Sequence, residues 1–325
     1  MENLFKYAKK ELSQDAFLLW VAANINAEEK DLRTVARKFI VFLSGRRLKE
    51  EDIERVELHP QWNKIDIFLD VILRSGKIIS LYIEDKTTSK EHNQLTKYNK
   101  YIKKQGIKLF YKTDYIDEEE RKRVTDAGWH IIELNKINNF WKPFKNHSNP
   151  IIAMYAERVN EIYCALQNKL LPRQREDEEI ERFYWKGFFY NYLKPYVEKE
   201  YGRKYVVEIT KTAYNYVAFI VRETRYKKDI PFLELRSRDC RDMHFLAKLL
   251  TYGMSGRNEK CLEYDRIQES NTDIPGTLFT TKNSGTKQVL RTNEIEVKSE
   301  DEFLLQLNKC LDAYSKILRK VYKGK

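Results

Sequence analysis

Cysteine is too scarce and too scattered in this sequence to staple a fold or to hold zinc. Cys164, Cys240, Cys261 and Cys310 include no pair at CxxC spacing, and no cluster of histidines accompanies them. That argues against a zinc site and against a disulfide framework. Glycine, at 11 residues, and proline, at 7, are also few, which disfavours Gly-rich folds. The opening segment MENLFKYAKKELSQ has no apolar core of the kind a secretory signal needs, and no run is long enough to span a bilayer. The chain therefore reads as cytoplasmic, with no membrane partner. Neither an internal repeat nor a low-complexity stretch interrupts it.

What the sequence has instead is apolar bulk and positive charge. Hydrophobic residues make up 42% and aromatics 13%, which is globular rather than disordered composition. Its 325 residues suffice for two domains with separate cores. The net charge is +11, and it is no tail, because residues 1–150 hold 28 Lys and Arg against 23 Asp and Glu. A mild excess in both halves fits a polyanion partner such as nucleic acid, although Lys-rich proteins without one share it.

Periodicity places the elements. Ser13 or Asp15 can cap a first helix, and a second runs from about Asp31 to Leu43 and stops at Gly45. A short strand fits Arg55–Leu58. IDIFLDVIL (65–73) and KIISLYIEDK (77–86) read as a β-hairpin turning at Ser75-Gly76. Ser89 can cap a helix over 90–105, IKLFYKT is a third strong strand, 117–127 a helix, and WHIIEL a strand. The order helix–helix–β–β–β–α–β–α–β predicts a three-layer α/β core with a mixed central sheet over residues 1–147. After a break around KPFKNHSNP, residues 148–325 read as an α+β C-terminal domain serving nucleic-acid binding, dimerisation or sensing. Its helices are expected at 151–171, 180–201, 245–250 and 301–322, and its strands at 205–209, 217–221, 232–236, 278–282 and 287–291.

The hairpin carries the chemistry. Strand residues two apart share a face, so Tyr82, Glu84 and Lys86 point one way and Ile83 and Asp85 the other. A Ser75-Gly76 turn sets partners summing to about 151 and brings Asp66 level with Asp85, beside Glu84 and Lys86. Two carboxylates and an ammonium then converge at the open end of the hairpin, an arrangement suited to a hard cation such as Mg²⁺ or Mn²⁺. An adjacent lysine can orient or deprotonate the attacking water.

Asp66, followed 18 residues on by Glu84-Asp85-Lys86 on the second strand of a hairpin, resembles the PD-(D/E)XK nuclease superfamily. Gln94-Leu-Thr-Lys-Tyr98, on the helix after that strand, resembles the QxxxY motif of its RecB-like and lambda-exonuclease-like branches. The resemblance covers roughly residues 1–145. It implies a restriction-endonuclease-like core and metal-dependent phosphodiester hydrolysis, with DNA favoured over RNA. Asp66 and Glu84 would be metal ligands, the Asp85 main-chain carbonyl a third, and Lys86 would position the water. Gln94 would hold water or nucleic-acid backbone, and Tyr98 would pack behind the site or touch phosphate. Glu11 resembles the helical glutamate that some members add to the metal site, although capping or solvent exposure explains it as well. Restriction, repair or phage defence is the context that analogy suggests.

Beside these stand plainer readings. Gln94, Tyr98, Tyr101 and Gln105 would share one helix face, with Lys97, Lys100 and Lys104 on the adjacent one, suited to phosphates or simply solvated. Asp70 has the parity of Asp66 but lies further toward the turn; Glu57 and His59 could border the site. A structural Asp66–Lys86 ion pair would account for those two residues alone. Arg236, Arg238 and Arg241 could reach phosphate or pair with Glu234 and Asp239. The alternatives to an active enzyme are an inactive nuclease-fold binding or scaffold protein, or a ligand-gated nuclease acting on RNA. A homodimer is compatible with all of them.

Overall fold

The computed structural model describes residues 3–6, 11–102, 105–172, 177–210, 218–225, 232–238, 244–250, 267, 280–281, 288–292 and 295–322. The chain forms two compact units, Met1–Cys164 and Ala165–Lys325. The boundary falls later than residue 147, because the helix that follows the break packs back on the first unit. Within it Tyr155 stacks on Phe17, with ring centroids 3.9 Å apart, and the Asn3 amide donates to the Met154 carbonyl at 2.9 Å.

In the first unit, α1 (Glu11–Ala23) and α2 (Lys30–Leu43) precede the sheet. α2 buries Leu32, Val35, Ala36, Phe39, Ile40 and Leu43, the stripe its 3.6-residue period predicts. It ends where Gly45 takes a φ of +66°. α1 starts at Glu11, so Ser13 and Asp15 lie within it and do not cap it.

β1 (Ile53–Trp62), β2 (Ile65–Leu73) and β3 (Ile78–Lys86) run antiparallel, whereas β4 (Ile107–Lys112) and β5 (His130–Glu133) join β3 in parallel. The order is β1-β2-β3-β4-β5, a five-stranded mixed sheet. The hairpin register differs from expectation by one residue. Leu73 N donates to the Lys77 carbonyl at 2.9 Å, so three residues, ending in Gly76 at φ +79°, close the turn. Ile67 accordingly faces Ile83, and Asp66 lies level with Glu84 rather than Asp85. Because side chains alternate, that residue decides which face each carboxylate joins.

Helices cover both faces. On one, Phe68, Tyr82 and Phe110 pack with Leu95, Tyr98, Val124 and Trp129. On the other, Tyr111 meets Trp141 and Tyr155 through its hydroxyl, at 3.2 and 3.4 Å. Among the described residues the connection after β3 holds one short helix, α3 (Gln94–Tyr98), where 90–105 was expected. Asn93 sits in the left-handed region, at φ +61°, just before it. At its end the Asn99 side chain binds the Ala127 carbonyl, Lys108 and Trp129. These tertiary partners turn the chain where local propensity would continue a helix. α4 (Glu118–Asp126) fills the next crossover, and α5 (Leu134–Trp141) and α6 (Pro150–Leu166) follow.

Asp117 caps α4, its carboxylate accepting from Glu120 N at 2.8 Å and pairing with Lys90. Burial opposes its charge, but the Lys90 and Glu120 hydrogen bonds prevail and hold its pKa below the ordinary value of 3.8. The depressed value makes its contribution complete above the unfolded pKa and lost as pH falls through the folded one. Asp117→Ala should cost about 1 kcal/mol at pH 7 and less near pH 3, read from urea midpoints. An equal cost at both pH values would refute a charged cap.

In the second unit, α7 (Glu178–Phe188) and α8 (Lys194–Tyr201) are joined by a π turn, Phe189–Leu193, where one helix was expected. Pro195 has no N–H to return to the preceding turn. A seven-stranded antiparallel sheet follows: β6 (Tyr205–Thr210), β7 (Ala218–Glu223), β8 (Phe232–Arg238), β9 (His244–Leu250), β10 (Thr280–Thr281), β11 (Gln288–Arg291) and β12 (Ile295–Glu296). β9 was expected to be helical; it pairs with β8, β11 and β12, and a short apolar run cannot announce such distant partners. Arg236 and Arg238 fall on β8, their side chains outside the described residues, as is Arg241. α9 (Glu300–Val321) closes the chain and buries Phe303, Leu307, Leu311 and Tyr314 against the same core as Phe188 and Phe219. Among the described residues no helix is long and apolar enough to cross a membrane.

Candidate functional site

β3 is flanked by β2 and β4, so its C-terminal end is buried even where its side chains are charged. Glu84, Asp85 and Lys86 retain 1%, 0% and 7% of their exposure. Apolar β-branched neighbours build the strand, and the alternation sorts its three charges between the two faces.

On the face covered by α3, Lys86 Nζ stands 2.7 Å from Glu84 Oε1 and 3.9 Å from Asp66 Oδ2. Asp66 is held from behind, its Oδ2 accepting from the Asp85 backbone N–H at 2.9 Å. Glu84 Oε2 is buried and is offered no donor among the described residues, while the carboxyl group as a whole lies within hydrogen-bond reach of the Asp66 carboxylate. Burial first, and then the Asp66 carboxylate, push the Glu84 pKa up from 4.5 to about 8, against the pull of Lys86. Tyr98, one turn after Gln94 on α3, completes the group. Burial, followed by the charges of Glu84 and Asp66, lifts its hydroxyl to about 12, so it stays protonated at neutral pH.

Asp66, Glu84, Lys86 and Tyr98 are thus brought together. Gln94 is half-buried at the start of α3, and its side chain makes no hydrogen bond among the described residues. Lys97 and Lys100 are exposed, Lys100 lying 4.7 Å over the Tyr101 ring. Lys97 is in α3 and Lys100 beyond it, so the long shared face expected over 90–105 is absent. Lys104 and the Glu11 side chain lie outside the described residues. Asp70 is engaged with Ser80 and, at 3.9 Å, with His59, away from Glu84.

The Asp85 carboxyl lies on the opposite face. It accepts from Gln14, which in turn accepts from Thr113 at 3.3 Å. Its pKa is raised by complete burial and then by neighbouring Asp15. Asp15, expected as a cap, is therefore a buried partner of the strand. Sequence reading also passed over Glu91, Lys112 and Glu120. Glu91 Oε1 accepts from Gln94 N at 2.6 Å and from Leu95 N at 3.3 Å, capping α3. Lys112 Nζ binds the Ser89 carbonyl and lies 3.5 Å from Glu120 Oε1. The one available signal was a glutamate three residues before Gln94, the spacing at which an acidic side chain serves free helix N–H groups.

Asp66 and Glu84 fit a hard divalent cation. Mg²⁺ is commonly held by one or two carboxylates together with water and substrate phosphate, and an orphaned buried oxygen beside a second carboxylate offers those ligands. Among the described residues no group of three or more His, Cys, Asp and Glu side chains forms a protein-only metal cage. Compared with models of known protein families, with curated proteins and with solved structures, the chain matches none.

Proposed function

We propose that this chain is a metal-dependent nuclease of the PD-(D/E)XK kind, with a restriction-endonuclease-like core, hydrolysing phosphodiester bonds and favouring DNA. The observation that carries the reading is the unpartnered Glu84 Oε2, buried beside Asp66 with Lys86 Nζ within 4 Å of both carboxylates. A polar atom left in that state costs about 1–3 kcal/mol, and a ligand completing it offsets the cost.

Asp66 and Glu84 are the residues to hold Mg²⁺ or Mn²⁺, which when bound polarises the phosphate and makes water a better nucleophile. Lys86 spans both carboxylates, and its ammonium can hold a water in place and compensate charge growing on the phosphate. Tyr98, protonated at neutral pH, can donate to a phosphate oxygen. The Asp85 backbone N–H orients Asp66, so this residue serves the site through its main chain. Exposed Lys97 and Lys100 suit the flanking phosphates.

The test incubates the chain with circular and linear, single- and double-stranded DNA and with RNA, in Mg²⁺, Mn²⁺ or EDTA. Cutting is expected with metal, none with EDTA, and loss of at least about a hundredfold in Lys86→Ala. No cutting of any substrate, or wild-type rates in Glu84→Ala and Lys86→Ala, would refute the reading. The closed Lys86–Glu84 contact favours a second one, an inert nuclease-fold scaffold in which the pair is structural. Calorimetry separates them: a nuclease loses a metal site on Asp66→Ala, whereas a scaffold has none to lose.

A further inference from the structure

Far from the acidic pair, the first unit carries a pocket of about 780 Å³ between the end of α2, the starts of β4 and β5, and α5. Ile107, Leu109 and Ile132 form its sheet side. They have the parity of Asp85, so the pocket opens on the face opposite Glu84 and Lys86, and toward the other end of the strands. Its size falls in the range of small-molecule sites.

Two features of its lining define a ligand. Lys38, Arg46, Arg47 and Lys136 surround it, with His130, and no Asp or Glu contributes. Among the described residues Lys38, Arg46 and Arg47 enter no ion pair, so their charge is available to an anion. Opposite the aliphatic sheet side, the helix side of the apolar lining carries three flat rings. Phe42 and Phe140 stack with centroids 4.6 Å apart and planes at 17°, and Phe144 lies 5.6 Å from Phe140. Exposed Asn139 adds an amide able both to donate and to accept. The C-terminal end of α2 would repel an anion. However, Ser44, Gly45 and Arg46 N–H groups return to the Ile40, Phe42 and Val41 carbonyls, so the end is already satisfied.

We propose that this pocket binds a nucleotide with two or three phosphates. The base would lie against the Phe42–Phe140–Phe144 rings with Asn139 at its edge, and the phosphates would face Arg46, Arg47, Lys38 and Lys136. Flat rings and an amide suit a heteroaromatic base better than an alkyl chain, and guanidinium forks suit phosphate. The pocket is separate from the acidic pair, so the inference holds whether or not the chain is a nuclease.

Calorimetric titration of the full chain in EDTA with ATP, ADP, adenosine and decanoate tests it. ATP or ADP should saturate one site, and adenosine should bind at least about tenfold more weakly. The charge reversal Arg46→Glu/Arg47→Glu, at two exposed positions and with an unchanged urea midpoint as the check on folding, should weaken ATP by at least about tenfold. Glu84→Gln should leave ATP affinity unchanged. The proposal is overturned if ATP and ADP fail to saturate at millimolar concentration, if charge reversal leaves their affinity intact, or if decanoate displaces them from the same site.

Discussion

Replacing Glu84 with glutamine should make the chain more stable at pH 8 and at the same time abolish the metal-dependent cleavage proposed for it. Glu84 has a folded pKa of about 8 against 4.5 for the free side chain. Below 4.5 both folded and unfolded chains hold the proton. Between 4.5 and about 8 the unfolded chain releases it and the folded chain keeps it, so stability falls with rising pH by up to about 1.4 kcal/mol per unit. Above 8 the loss is complete. Glutamine carries no titrating proton, still offers Lys86 an oxygen, and escapes the loss. The wild type and variant should therefore separate by on the order of 2–4 kcal/mol at pH 8, with Asp66 and Lys86 moderating the gap. Urea midpoints from pH 5 to 8.5 measure it. A wild-type midpoint flat across that range would show that Glu84 is not held protonated. Mg²⁺ should recover wild-type stability at pH 8 by binding the folded state, and should do less for the variant. Cleavage should fall at least about a hundredfold. A variant more stable yet inactive is the mark of a group kept at a cost to the fold for what it binds.

Lys112→Met should be among the most damaging single changes in the first unit. The Lys112 side chain is 1% exposed and that of Glu120 0%. Glu120 Oε1 also accepts from Glu91 N at 2.9 Å, and Glu91 holds the start of α3. Removing the ammonium leaves Glu120 buried without its cation, which costs about 3–5 kcal/mol. The damage should reach the segment before α3, since the Ser89 carbonyl loses its donor as well. Faster proteolysis between residues 87 and 93 would report that loosening. Adding Glu120→Leu to Lys112→Met should recover much of the loss, because an apolar pair replaces an orphaned charge. A cost below about 1 kcal/mol for Lys112→Met would mean that the buried pair does not support α3.

Several features of the site were legible in the primary structure because they are local. The β-branched residues of IDIFLDVIL and KIISLYIEDK around Ser75-Gly76 mark two strands, and parity alone separates Glu84 and Lys86 from Asp85. Gly45, Gly76 and Gly128 stop elements where they should, each at positive φ. α2 and α4 follow from apolar period and a capping aspartate. The spacing from Lys86 to Tyr98 anticipates a helix returning over the sheet, and the Tyr98 hydroxyl lies near enough to the acidic pair to feel its charge.

Other features depend on distant partners. The hairpin closes with three residues instead of two, and that single residue puts Asp66 beside Glu84. α3 is cut to five residues because Asn93 turns left-handed before it and Glu91 and Asn99 bind groups supplied by β4 and α4. Asp15 turns from a cap into a buried neighbour of Asp85, and 244–250 pairs as a strand. The sequence by itself determined which residue types stand at the end of β3 and which side of the strand each takes, since alternation is a property of one strand. Only the tertiary structure decided that two carboxylates and a lysine meet in a buried place with one oxygen unpartnered. Register, burial and the pKa shift that follows are properties of neighbours far away in the chain.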